Sequence, residues 1–176
     1  MQVGKDTVVV ITGASGGVGR ATARLFGERR AKLALLARGR DGVEAAKRDV
    51  EELGGRALAI PTDVSQFAEV EAAAAQVERE LGPIDVWINN AMVSMYSPFL
   101  QMRADEFRHI TEVTFLGTVH GTKAALTRMI ERDSARRLAR LGGSVALALR
   151  EAVRGIGSLA SRLRRNGVDP AGPAPR

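Results

Sequence analysis

A glycine-rich string, Thr12-Gly13-Ala14-Ser15-Gly16-Gly17-Val18-Gly19, arrives directly after the apolar run Thr7 to Ile11 and constrains this chain more than any other feature. Glycines at 13, 17 and 19 remove side chains where a backbone must turn tightly, approach a pyrophosphate closely and pack a helix against a sheet. The N–H groups at the head of the following helix, about Val18 to Gly27, would then face the phosphates. Glycine-rich strings also occur in plain surface turns. Here the strand before and the helix after supply the context that a phosphate-binding turn requires.

Along the first 133 residues, short apolar runs alternate with longer amphipathic stretches. Val8 to Ile11 precedes a helix in which Val18, Ala21, Leu25 and Phe26 fall on one face. Lys32 to Ala37 predicts a second strand, followed by a helix from about Asp41 to Leu53 that Gly54-Gly55 closes and Asp41 caps. Ala57 to Ile60 is a third strand ended by Pro61; Ser65 then predicts the N-cap of an Ala- and Glu-rich helix running to Leu81, with Gly82-Pro83 as its stop. Ile84 to Ile88 is the fourth strand, and a long helix spans about Ala104 to Ile130. Near-continuous apolar strands separated by helices imply a parallel sheet covered on both faces. The expected fold is therefore α/β: a doubly wound, Rossmann-type parallel sheet of order 3-2-1-4, truncated after the fourth strand. Trp87 is expected to pack within it.

Composition divides the chain in two. The formal charge of +6 averages a tail, residues 134–176, with nine Arg, no Lys and two acids (+7) against a remainder that carries −1. The basicity thus says nothing about partners of the glycine-rich domain, for which nucleic acid is not the expected ligand. With no cysteine, a disulfide framework and cysteine-ligated zinc are excluded. No apolar run approaches the roughly 20 residues of a membrane span, and Met1 to Asp6 lacks a secretory signal's apolar segment, so a cytoplasmic location is expected.

Three motifs in order give the chain its resemblance to the short-chain dehydrogenases/reductases. The turn at 12–19 has that family's Thr-Gly-x-x-x-Gly-x-Gly spacing, Asp63-Val64 follows the third strand, and Asn89-Asn90-Ala91 follows the fourth, with Met92 where the family has glycine. The resemblance covers residues 5 to 133, a partial dinucleotide-binding domain (1–133), and implies that a nicotinamide dinucleotide is the ligand. Gly13, Ser15, Gly17, Val18 and Gly19 would hold its phosphates, Asp63 and Val64 its adenine, and Asn90 and Ala91 would border its nicotinamide side. Each has a plainer reading: Asp63 as a helix cap, Asn89 and Asn90 as strand-end turn residues, and His109 and His120 as surface or hydrogen-bonded histidines without ligand clusters.

Charge bears on the choice of cofactor. An NAD-preferring site places an acid at the end of the second strand, where it hydrogen-bonds the ribose and repels a 2′-phosphate. Here the segment reads Ala37-Arg38-Gly39-Arg40. Guanidinium groups make paired, charge-assisted bonds to phosphate, so NADP is expected over NAD, with Arg38 as its ligand.

The chemistry departs from the family. Its members move the substrate proton with a Tyr whose pKa is lowered by a Lys four residues on, beside a polarising Ser. The one tyrosine here is Tyr96, position 100 is Leu, and the family's helical asparagine corresponds to Thr114. Ser144 has no Tyr-Lys partner; Ser94, Tyr96 and Lys123 are too scattered to replace the set. Tyr96, Met92, Met95 and Met102 are expected to pack around the substrate side. No catalytic residue is assigned, and the chain is expected to be a catalytically inactive piece of an NADP-dependent carbonyl or alcohol oxidoreductase. The alternative is a non-catalytic dinucleotide-binding or interaction protein with a basic C-terminal helix.

That tail draws 29 of its 43 residues from Arg, Ala, Gly and Leu. Out-of-frame reading of a GC-rich gene accounts for this composition and for the abrupt end of the family pattern. A real helix is the other reading, since Val145, Leu149, Val153, Ile156, Leu159 and Leu163 recur at helical spacing. With the fourth strand left as an apolar edge, self-association is expected.

Overall fold

The computed structural model describes residues 3–130; the expectations for the tail and for Ser144 lie outside them. Four parallel strands, β1 (Val8–Thr12), β2 (Lys32–Ala37), β3 (Arg56–Pro61) and β4 (Val86–Ile88), form one sheet in the order β3-β2-β1-β4. Val10 is level with Ala34 on one side and Trp87 on the other. Helices α1 (Gly17–Glu28), α2 (Arg40–Glu52) and α3 (Phe67–Glu80) connect consecutive strands. After β4 the chain runs without regular structure to a 3₁₀ turn at Phe99–Gln101 and then into one long helical run. That run is α4 (Ala104–Ile110), a π-helical turn (Thr111–Leu116) and α5 (Gly117–Ile130).

Both sheet faces are buried, which is why β1 and β2 read as apolar runs without alternation. Val8, Val10, Leu36 and Trp87 pack with Val70, Val77, Ala124 and Met129 of α3 and α5. Val9, Ile11, Leu33 and Leu35 pack with Ala23, Ala46 and Val50 of α1 and α2. β4 pairs with β1 alone among the described residues, and its three side chains are all buried.

Three expectations need correction. The buried stripe of α1 is Gly19, Ala23 and Gly27, while Val18 and Leu25 are 73% and 58% exposed. Proximity explains this: a Cβ on Gly27 would sit 3.3 Å from the Val50 backbone, so the core face of α1 is built from residues small enough for that approach. Ser65 is not a cap. The helix starts at Phe67 behind Gln66, and the turn before it is held by the Asp63 carboxylate, which accepts the Ser65 N–H at 2.9 Å. Asp41 does not cap α2 either; it lies in the first turn, behind Gly39 at the N-cap position, where its charge complements the helix dipole.

Candidate functional site

The end of β1 is built around Thr12, 2% exposed. Its hydroxyl oxygen accepts the Asn90 and Ala91 N–H groups, each at 3.0 Å, and its O–H donates to the Ile88 carbonyl. Asn90 answers with its side-chain amide, donating to the carbonyls of Thr12 at 3.1 Å and Gly13 at 3.3 Å. The turn after β1 and the end of β4 are thereby one hydrogen-bonded unit. Asn90 thus spends its amide on structure, at a position that also borders the cleft.

Glycine is required in this turn for two separate reasons. Gly13 and Gly17 have φ of +67° and +52°, a region L side chains rarely adopt. Gly19 has an ordinary helical backbone, but a Cβ there would fall on the Gly13 carbonyl and on Asn90 Nδ2. Gly16 at the N-cap of α1 offers no side-chain oxygen, and the first turn holds no acid. Nothing acidic in that turn competes with an anion for the positive end of the helix.

A cleft of about 770 Å³ opens at this end of the sheet. Gly13, Ser15, Gly17 and Val18 line it from the turn, Arg38 from the loop after β2, Asp63 and Val64 from the loop after β3, and Asn90 and Ala91 from the segment after β4. Of the ten residues expected to hold the cofactor, Gly19 alone is not in the lining; it packs against the Gly13 carbonyl and Asn90. Thr62, Met92 and Val113 also line the cleft. Thr62 adjoins the Asp63-Val64 pair and donates its N–H to Ala37 O at 3.0 Å, continuing the β2–β3 ladder. Val113 comes from the π turn, and no local pattern connects it to strands so far away in sequence.

Arg38 is exposed at the rim, and Arg40 opens α2 without lining the cleft. Asp63 lines the cleft and also holds the turn before α3: its own N–H donates to Glu69 Oε2 at 2.8 Å while its carboxylate accepts the Ser65 N–H. On the opposite side, Thr114 accepts the Val93 N–H at 3.1 Å and donates to the Val93 carbonyl at 3.0 Å, tying the chain after β4 to the π turn. Thr118 donates to the Thr114 carbonyl at 2.8 Å, one of the backbone acceptors in that π turn. Met92 lines the cleft, whereas Met95 is exposed and Tyr96 fully so. The expected packing of Tyr96 around the substrate side is absent among the described residues.

A parallel sheet with a glycine turn after its first strand and a cleft across its strand ends is the architecture of a doubly wound, Rossmann-type fold. The sequence matches the family model for short chain dehydrogenases over residues 7–138, and the chain belongs to that family. It is 34% identical over 122 residues to the Bacillus subtilis uncharacterized oxidoreductase YxnA, covering 69% of this chain and 34% of that protein. It is similar in structure to an NAD+-bound xylitol dehydrogenase, with TM-score 0.72 and 30% identity over 76% of this chain and 51% of that one. It is similar too to an alcohol dehydrogenase from the archaeon Thermococcus sibiricus complexed with 5-hydroxy-NADP, with TM-score 0.68 and 32% identity over 71% and 54% of the two chains. The chain spans between a third and a half of the length of the first curated relatives it matches. Nicotinamide dinucleotides of both kinds therefore occur among its structural neighbours. Among the described residues, no helix is long and apolar enough to cross a membrane.

Proposed function

We propose that the cleft binds a nicotinamide dinucleotide, NADP in preference to NAD, and that this chain by itself does not transfer hydride. The observation that carries the first part is convergence: segments as far apart in the chain as Gly13 and Val113 line one cleft at the strand ends. Gly13, Ser15, Gly17 and Val18 at the head of α1 would hold the diphosphate. Asp63 and Val64 form the adenine wall, and Asn90 and Ala91 the nicotinamide side. Arg38, exposed at the rim with no acid beside it in Ala37-Arg38-Gly39, takes the 2′-phosphate. The chemistry a bound nicotinamide supplies is hydride transfer; these residues bind and orient it.

The absence of a Tyr-x-x-x-Lys pair anywhere in the chain carries the second part. It also favours the second reading, a non-catalytic dinucleotide-binding or interaction protein with the basic C-terminal helix expected from the sequence. Titration with NADP and NAD tests the assignment. NADP should bind more tightly, and Arg38→Ala should weaken NADP about 10- to 100-fold while leaving NAD nearly unchanged. Added salt should erode the NADP preference. Equal affinities that ignore the substitution would refute the 2′-phosphate site, and no binding of either would refute the dinucleotide site.

A further inference from the structure

The loop that carries Asp63 and Val64 is anchored within itself by the Glu69 and Ser65 contacts, but the Val64 carbonyl is held from outside. His120 Nδ1 lies 2.9 Å from that oxygen. A carbonyl only accepts, so Nδ1 carries the proton. The imidazole is seated against Phe67, the first residue of α3, with ring centroids 5.5 Å apart, and Lys123 Nζ lies 4.7 Å from the centre of the Phe67 ring. One turn before His120, Gly117 lets the helix close on Val64, since a Cβ there would lie 2.7 Å from Val64 Cγ2. His120, Phe67 and Gly117 stay out of the cleft lining that Val64 joins.

We propose that His120 is a positioning residue for the adenine-side wall: its Nδ1–H fixes the Val64 carbonyl, and with it the peptide plane that turns Val64 toward the ligand. This rests on the dinucleotide reading above. Burial alone does not explain the arrangement, because an apolar side chain would fill the same space between α3 and α5 without a donor aimed at the loop.

The test uses the full chain with His120→Asn, which keeps an N–H donor at the δ position, and His120→Leu, which keeps bulk without the donor. One readout needs no ligand: amide hydrogen exchange at Ser65 and Gln66. The other compares binding of adenosine 5′-monophosphate with binding of inorganic pyrophosphate, which engages only the glycine turn. His120→Leu should speed exchange at the two amides about tenfold and weaken the adenine nucleotide about tenfold, leaving pyrophosphate unchanged. His120→Asn should restore most of both. Unchanged exchange and nucleotide affinity in His120→Leu would overturn the proposal, as would a loss shared equally by pyrophosphate, which marks general loosening. If the wild type binds neither probe, the dinucleotide reading falls and the proposal with it. Failure of the proposal alone shows as wild-type nucleotide binding that His120→Leu leaves intact.

Discussion

The turn after β1 and the segment after β4 meet at Asn90 and Ala91, yet they are built on opposite terms. In the turn, Gly13 and Gly19 leave no space for one more carbon, and Thr12 and Asn90 place their polar atoms on partners across the sheet. A few residues past Ala91, large apolar side chains lie in the open: Phe99 is 78% exposed and Leu100 97%. The first region is specified by contacts inside the described domain. The second keeps apolar surface that those contacts do not bury, in a chain that spans only part of the length of its relatives. The contrast is between a turn closed by its own contacts and an uncovered apolar side after β4.

The largest test of the contrast is catalysis itself. Proton transfer contributes typically about 10²- to 10⁴-fold, and orientation of the reactants adds more. The purified chain should therefore show no measurable oxidation or reduction of a carbonyl and alcohol panel with NADP(H). Residues 1–133 fused to the C-terminal half of a family member should recover turnover. Robust activity from the unaltered chain would mean that the uncovered side already contains a proton donor, and Tyr96 and Lys123 would be the first to substitute.

Stability should separate the two regions next. Gly13→Ala combines a left-handed φ with a Cβ 2.8 Å from the Ala91 Cα, and should cost about 3 kcal/mol in urea unfolding. Leu100→Ala, at a side chain already in solvent, should stay within about 0.5 kcal/mol. Comparable losses at both positions would show that the apolar segment is packed in solution and would erase the distinction.

Much of this was legible in the residues, for reasons that differ by element. The strands could be read because burial on both faces makes Val8 to Ile11 and Lys32 to Ala37 near-continuous apolar runs, and the residue types at their C-terminal ends marked the cleft. The core face of α1 could not, because hydrophobicity points to Val18 and Leu25 whereas contact geometry demands Gly19, Ala23 and Gly27. Long-range polar pairs were equally silent. Thr114 with Val93 and His120 with Val64 are 21 and 56 residues apart, and no local pattern connects them. The start of α3 is hidden because a serine and an aspartate two residues apart both suit a helix cap, whereas the carboxylate closes a turn ahead of the helix and Gln66 stands at the N-cap position without a side-chain bond.

A smaller change probes the seam between the two regions. Thr12→Val keeps the shape of a buried side chain but removes the oxygen that accepts the Asn90 and Ala91 N–H groups. Leaving those donors unpaired should cost about 2 kcal/mol, and Thr12→Ser should recover most of it. If Thr12→Val unfolds like the wild type, water or another acceptor replaces the hydroxyl and the turn is not locked to β4 through it.

The smallest effect contrasts two carboxylates, both held below the usual range by an arginine. Arg20 forms a two-pronged pair with Asp49, bridging α1 and α2, and its hydrogen bond is the leading cause of the lowered Asp49 pKa. Arg103 does the same for Asp105, but the two are neighbours along an exposed stretch after the 3₁₀ turn. A carboxyl whose pKa is lower in the fold than in the unfolded chain binds fewer protons when folded. Its contribution is complete above the unfolded value of about 3.9 and is lost as pH falls through the lower folded value. Asp49→Asn should therefore lower the melting temperature at neutral pH by a few degrees at most, and the gap from wild type should close as the pH falls below about 4. Asp105→Asn should leave the curve almost unchanged, since an exposed pair two residues apart is screened by water and can form before folding. Melting curves from pH 7 to pH 3 decide it: a gap that stays constant in acid would detach Asp49 from the seating of α1 against α2, and an equal gap for Asp105 would place the segment after β4 within the cooperative fold.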